Sequence, residues 1–194
     1  MADFHATTAS AEVIASEARK KIVSRNRWPT LATPSCVFTK GTFDILHAGH
    51  LALIAYCARQ AHGHGRDTRV VVAVESDASV RRRKGPQRPY QSEAQRALQI
   101  ALLSDVDAVV IAEQNELAAV LRDINPALYV KGMDTANAAE AQHVDGLALT
   151  LGSSANVEFQ ALPPSCRIVV FTDDGTLSTS LLVDRIVSMR KERP

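Results

Sequence analysis

Cys36-Val37-Phe38-Thr39-Lys40-Gly41-Thr42-Phe43-Asp44-Ile45-Leu46-His47-Ala48-Gly49-His50 reads as a short apolar strand, a glycine-containing turn and the start of a helix that opens on two histidines. The first N–H groups of a helix lack intrahelical partners and carry a partial positive charge, so such a start can hold phosphate. Two imidazoles three positions apart share one face of that first turn. Together they can aim charge-assisted donors at an oxyanion. Gly41 and Gly49 permit a close backbone approach there. Taken alone, the pair is equally consistent with one histidine capping and the other packing. A metal pair would need further ligands, and no acidic or cysteine partner is adjacent.

Outward from this stretch the chain alternates between short apolar runs and helical patterns. Strand 36–40 leads to helix 49–61, and strand 70–74 leads through a long basic loop to helix 92–103. Strand 108–111 leads to helix 116–123, capped by Asn115. Strand 128–130 leads to a helix near 136–143. Strand 168–171 precedes helix 179–190, and 145–164 is a poorly patterned stretch with Gly152-Ser153-Ser154 and Pro163-Pro164. Before all of these, residues 1–10 read as a frayed end and 11–25 as one amphipathic helix, followed by the turns Trp28-Pro29 and Thr33-Pro34. Four- or five-residue strands buried on both faces and alternating with helices predict an α/β, doubly wound (Rossmann-like), five-stranded parallel sheet with helices on both faces. The expected organisation is a helical extension over 1–34 and one domain over 35–194.

Ligands in such sheets bind beyond the carboxyl ends of the strands, and the polar residues follow the strands here. The loop 78–92 holds Arg81, Arg82, Arg83, Lys84 and Arg88 with no acidic residue between them. A solvated loop or a nucleic-acid patch is one reading. The other is a cationic lid on a triphosphate, which carries about four negative charges. The three consecutive arginines cannot all face inward. Lys131-Gly132-Met133-Asp134 follows the fourth strand, and Gly175-Thr176-Leu177-Ser178-Thr179-Ser180 opens the last helix, where Ser178 or Thr179 can cap and an anion can bind. Asp44 either braces its turn or faces the phosphates. His62 and His64 read as a solvated glycine-rich link away from the active edge.

Composition narrows the function classes. The chain has 194 residues, 46% of them hydrophobic, and a formal net charge of +1, which argues against a general nucleic-acid coat protein. Its three cysteines, Cys36, Cys57 and Cys166, have no zinc-type spacing and read as buried free thiols in a reducing compartment. No apolar run approaches the about 20 residues that span a bilayer, and no signal-peptide pattern opens the sequence. A cytoplasmic protein with no membrane partner is expected.

Gly41-Thr42-Phe43-Asp44 followed by His47-Ala48-Gly49-His50 resembles the H-x-G-H signature of the cytidylyltransferase-like nucleotidyltransferases. Class I aminoacyl-tRNA synthetases carry a related motif, but no Lys-Met-Ser-Lys-Ser loop is present. Residues 72–89, Leu103-Ser104-Asp105-Val106-Asp107 and Val130-Lys131-Gly132 resemble the heptose 1-phosphate adenylyltransferase branch, so the likeness covers 35–144 well and 167–190 moderately. The resemblance implies an adenylyltransferase that moves AMP from ATP to a sugar 1-phosphate. It implies catalytic roles for His47, His50 and Lys84. It implies nucleotide contacts from Thr42, Phe43, Asp44, Gly49, Arg88, Lys131, Phe171, Thr172, Ser178 and Thr179, and acceptor contacts from Lys40 and Asp134. Mg²⁺ is expected on the nucleotide phosphates rather than in a protein cage, no metal-ligating residues are assigned, and homodimers are usual in the resembling enzymes. Met133 stands where that branch has a second glycine, and 145–164 is longer than its counterpart there. Glycerol 3-phosphate with CTP, phosphopantetheine with ATP, a non-catalytic nucleotide module and a nucleic-acid binder are the alternatives.

Overall fold

The structure, a computed structural model, describes residues 11–24, 35–65, 67–132, 160–171 and 178–191. In chain order the elements are α1 (Ala11–Lys20), β1 (Ile22–Val23), β2 (Ser35–Gly41), α2 (Ala48–His64), β3 (Thr68–Glu75), α3 (Asp77–Lys84), α4 (Glu93–Ala101), β4 (Ala108–Ala112), α5 (Leu117–Ile124), β5 (Leu128–Gly132), β6 (Arg167–Phe171) and α6 (Thr179–Lys191). The strands form one six-stranded sheet in the order β1-β4-β3-β2-β5-β6, and every pairing is parallel. The doubly wound parallel sheet expected from the sequence is present, with one strand more than expected.

Both faces of the sheet are buried, which is why its strands are apolar at successive positions rather than alternating. Val37, Val70, Val72, Val74, Leu128 and Val130 pack with Leu53, Ile54 and Cys57 of α2 and Ala97 and Ile100 of α4. Phe38, Val71, Ala73, Val110 and Tyr129 pack on the opposite face with Leu117, Val120, Leu121 and Ile124 of α5. The strand order reverses between β2 and β5, so the crevice at a topological switch point opens beside the carboxyl end of β2.

Four sequence expectations are corrected. Residues 11–25 do not form one helix: α1 stops at Lys20, and Ile22 and Val23 run parallel to Val109 and Val110 of β4. The open β4 edge offers backbone partners that two β-branched residues suit better than a helix end does. The Lys21 carbonyl accepts from Val109 N–H at 2.8 Å. This adds the sixth strand.

The stretch 78–92 is not a loop throughout. Ser76 caps α3 by accepting from Ser79 N–H, and Arg81–Lys84 occupy its last turn, where the helix dipole favours cations. Asn115 does not cap α5. The turn carbonyls of Glu113 and Gln114 take the N–H groups of Glu116 and Leu117 instead. Helix α2 runs three residues past its expected end and carries His62 and His64, both exposed, in its last turn. The expected helix near 136–143, the Trp28-Pro29 and Thr33-Pro34 turns, and Met133, Asp134, residues 145–159, Thr172 and Gly175-Thr176-Leu177 lie outside the described residues.

The three cysteines are free, with Cys36 and Cys57 buried and Cys166 partly so. Burial pushes the thiols of Cys36 and Cys57 up to about 12 and that of Cys166 to about 11, which keeps them protonated and unreactive. Among the described residues no helix is long and apolar enough to cross a membrane.

Candidate functional site

The site is built on the turn between β2 and α2. Phe43 and Ile45 both sit at positive φ, 53° and 57°, a left-handed conformation that costs non-glycine residues about 1–3 kcal/mol each. Such a turn persists only when held from outside. The Phe43 ring is buried, at 1% exposure, and packs so closely on Gly41 that a Cβ there would lie 2.9 Å from it. Gly41 therefore makes its close approach to Phe43. Asp44, also 1% exposed, accepts from the backbone N–H groups of Tyr90 and Gln91 at 3.0 Å and pairs with Arg88 at 3.0 Å. Gln91 Oε1 accepts from Ile45 N–H at 3.4 Å. Asp44 is thus the brace of the turn, and its charge is met by Arg88, whose guanidinium also lies 4.4 Å over the Tyr90 ring.

This turn delivers both histidines to the start of α2. His47 is the N-cap residue in extended geometry, and its side chain does not cap the helix. The His47 and His50 rings stack with centroids 3.8 Å apart, and the Phe43 ring meets His50 edge-on at 5.2 Å. Burial, then the neighbouring His47 and the charge of Lys84, push the His50 imidazole down to about 3. His50 is neutral at physiological pH, and its buried Nδ1 has no hydrogen-bond partner among the described residues. Gly49 is buried in the same helical turn. An anion placed beside this ring would oppose those effects and raise its proton affinity.

Helix α3 aims its cations in different directions. Arg81 lies 3.7 Å from Asp77, Arg82 pairs with Glu113 at 2.7 Å, and Arg83 pairs with Glu75 while donating to Thr42 Oγ1 at 3.0 Å. Burial raises the Glu75 carboxyl, but the Arg83 hydrogen bond and charge, with Thr42 and Lys40, reverse this and hold it below its ordinary range. The arginine run is therefore not an open basic patch. Lys84, at the end of α3, is exposed and close enough for its charge to act on His50.

The last helix joins the same turn. Thr179, buried at the start of α6, donates its hydroxyl to the Asp44 carbonyl, and Ser178 caps the helix by accepting from Leu181 N–H at 3.2 Å. Phe171, at the end of β6, packs on Tyr56 of α2 with centroids 5.4 Å apart. Lys131 is 7% exposed at the end of β5. Lys40 donates to Gln114 beyond β4 at 3.2 Å, and its charge also acts on Glu75. So Thr42, Phe43, Asp44, His47, Gly49, His50, Lys84, Arg88, Ser178 and Thr179 come together, Lys131 and Phe171 stand on adjoining strand ends, and Asp134 and Thr172 lie outside the described residues.

The sequence does not single out Glu75, Arg83, Tyr90, Gln91 or Arg96 as individuals. Glu75 had a signal, as the acid that ends the apolar run Val70–Val74 at the active edge. Arg96 had one too, as a charge within the apolar stripe of α4 beside Ala97 and Ile100. At the ends of β3 and β4, Ser76, Asp77, Arg81, Glu93, Glu113 and Glu116 line a cavity of about 500 Å³. Its carboxylates suit it poorly to a polyphosphate.

A model of the cytidylyltransferase-like family matches residues 38–175. The chain is 44% identical over 97 residues to the bifunctional protein HldE of Mesorhizobium japonicum, covering 50% of this chain and 18% of that one. It is 37% identical over 137 residues to the bifunctional protein HldE of Rhodospirillum rubrum, covering 69% and 26%. The chain therefore spans about a quarter or less of the length of these curated relatives. Among solved structures, the lipopolysaccharide core biosynthesis protein of Thermoplasma volcanium matches with a TM-score of 0.53 at 21% identity, over 72% of this chain and 97% of that one. The pantoate-beta-alanine ligase of Francisella tularensis matches at 0.50 and 12%, over 88% and 79%. At these identities the structural likeness is one of fold.

Proposed function

The chain belongs to the cytidylyltransferase-like family, and we propose that it is a nucleotidyltransferase that moves AMP from ATP to a sugar 1-phosphate, heptose 1-phosphate foremost. An oxygen of the acceptor phosphate attacks the α-phosphorus of ATP, the bond from that phosphorus to the β-phosphate oxygen breaks, and pyrophosphate leaves. The acceptor is already ionised at neutral pH, so no protein nucleophile or general base is called for.

The observation that carries this reading is the stacked His47–His50 pair at a helix start that the His47 side chain leaves uncapped, with His50 kept neutral. Charge that develops on the α- and β-phosphates raises the proton affinity of a neighbouring imidazole and strengthens its N–H donation, so the pair acts most strongly in the transition state. Lys84 adds a cation on the same side, and Ser178 and Thr179 bring a second helix start to the turn through the Asp44 carbonyl. Alignment and charge stabilisation then supply the catalysis. The adenine base and the heptose acceptor are supported by the resemblance of residues 72–89 and 103–107 to the heptose 1-phosphate adenylyltransferase branch, and the match to HldE proteins agrees with it.

Mg²⁺ fits as a passenger of the nucleotide. Among the described residues no cluster of His, Cys, Asp or Glu could hold a metal ion, and the nearby carboxylates of Asp44 and Glu75 are engaged by Arg88 and Arg83. When bound, the ion would neutralise phosphate charge.

A panel of nucleoside triphosphates against sugar 1-phosphates, glycerol 3-phosphate and phosphopantetheine, read by pyrophosphate release, tests the proposal. Release with ATP and a sugar 1-phosphate is expected. Release only with another acceptor would move the chain to another branch, and ATP binding without release from any pair would make it a binding module.

A further inference from the structure

We propose that Arg96 is a positioning residue whose guanidinium sets the histidine turn and the Lys84 helix in the arrangement a triphosphate requires; this rests on the reading of the site given above. Arg96 lies on the core-facing side of α4 and is 0% exposed, the largest of the fully buried side chains. Burying a guanidinium costs several kcal/mol unless its donors are met, and a packed apolar side chain at such a position is often at least as stable. Stability alone is therefore a weak reason for an arginine here.

What the arginine provides is reach in three directions. Nη1 donates to the Thr42 carbonyl at 2.6 Å, Nε to the Gln91 carbonyl at 3.0 Å, and Nη2 to Asp77 Oδ1 at 2.7 Å. Each acceptor belongs to a different segment of the site. Thr42 immediately precedes the left-handed residues that carry His47 and His50 into place. Gln91, with Tyr90, gives the N–H groups that hold Asp44, the partner of Arg88. Asp77 opens α3, which ends in Lys84, and its own N–H is taken by Glu93 of α4 at 2.7 Å.

One planar group thus fixes the relative position of the segments bearing the imidazoles, Arg88 and Lys84. A lysine, a point charge on a flexible stem, cannot span the same three acceptors.

The test compares Arg96→Lys and Asp77→Asn with the wild-type chain and with His50→Ala. Amide hydrogen exchange is followed over 41–47, 77–84 and, as an internal reference, β3. Pyrophosphate release is measured in parallel. Arg96→Lys is expected to melt cooperatively and keep β3 protected. It should exchange about tenfold faster over 41–47 and 77–84 and lose about thirtyfold in kcat, with KM for ATP within about threefold, because alignment matters most in the transition state. Asp77→Asn should loosen 77–84 alone, and His50→Ala should lose turnover with no change in exchange. Wild-type exchange and kcat in Arg96→Lys would overturn the proposal, as would a uniform loss of protection that includes β3, the mark of a merely structural role. If the wild-type chain releases no pyrophosphate with any acceptor, the functional reading fails while the exchange pattern still decides the role of Arg96.

Discussion

Asp44 lies beside the proposed polyphosphate site, and its carboxylate is engaged inside the protein by Arg88 and the N–H groups of Tyr90 and Gln91. Removing one partner of a buried pair leaves the other uncompensated. Asp44→Asn keeps an acceptor oxygen but strands Arg88, so it should lose about 3 kcal/mol of stability in urea unfolding. A loss under about 1 kcal/mol would show that the pair holds little. His50 gives a second test, since its neutral state is imposed by burial, His47 and Lys84. Above the ordinary value of 6.5 it is neutral in both folded and unfolded chains and contributes no pH dependence. Below that value the unfolded chain takes up a proton that the folded one refuses until about pH 3, so stability falls across this window. At pH 5 the cost reaches at most about 2 kcal/mol, and His50→Gln should remove it. Parallel urea curves for the two proteins at pH 7 and pH 5 measure the difference. The same imidazole should matter to turnover, with His50→Ala losing about a hundredfold or more in kcat. The two histidines are legible from the sequence because their spacing and helix start announce them, whereas the Arg88 partnership of Asp44 is made by a fold that brings distant segments together.

Helix starts and strand ends carry the next layer of the site. Thr179 ties α6 to the histidine turn by donating to the Asp44 carbonyl. Thr179→Val removes that donor and leaves a buried carbonyl unsatisfied, a cost of about 1–3 kcal/mol. It should also weaken ATP binding about tenfold in calorimetry, because the second helix start is no longer held beside the first. Gly41→Ala should cost about 1–3 kcal/mol by overpacking, since the new methyl would meet the Phe43 ring at 2.9 Å. A variant as stable as wild type would mean the ring swings aside without loss. The strands were readable because both faces of each are apolar, and β2 to β6 appear near their expected positions. Helix α3 escaped because a run of like charges suggests a solvated loop, while its cap Ser76 sits between β3 and α3 and the acids that neutralise its arginines lie on β3, α3 and the segment after β4. Strand β1 escaped for a related reason: its two residues fit the apolar stripe of α1 equally well, and only the open β4 edge decides between them.

For the described residues taken together, the parallel pairing of the strands puts the carboxyl ends of β2 to β6 on one edge. Sequence supplies the alternation that implies a parallel sheet, but the order β4-β3-β2-β5-β6, which sets the switch point between β2 and β5, follows from which faces and edges each strand can bury. Among the described residues at the histidine turn, Asp44 and Glu75 are paired with Arg88 and Arg83, which supports the proposal that a divalent ion takes its ligands from the nucleotide. The consequence is a linkage that can be measured. A species that binds only the folded chain stabilises it by RT ln(1 + [L]/Kd), about 2.7 kcal/mol at a hundredfold excess over Kd. If Mg²⁺ arrives with ATP, Mg²⁺ alone and EDTA alone should each leave the melting temperature of the nucleotide-free chain unchanged. Mg²⁺ and ATP together should raise it by several degrees, and EDTA should abolish both pyrophosphate release and the part of that rise that depends on the ion. A rise with Mg²⁺ alone, at concentrations where ATP is absent, would instead mean that the folded chain carries a metal site of its own.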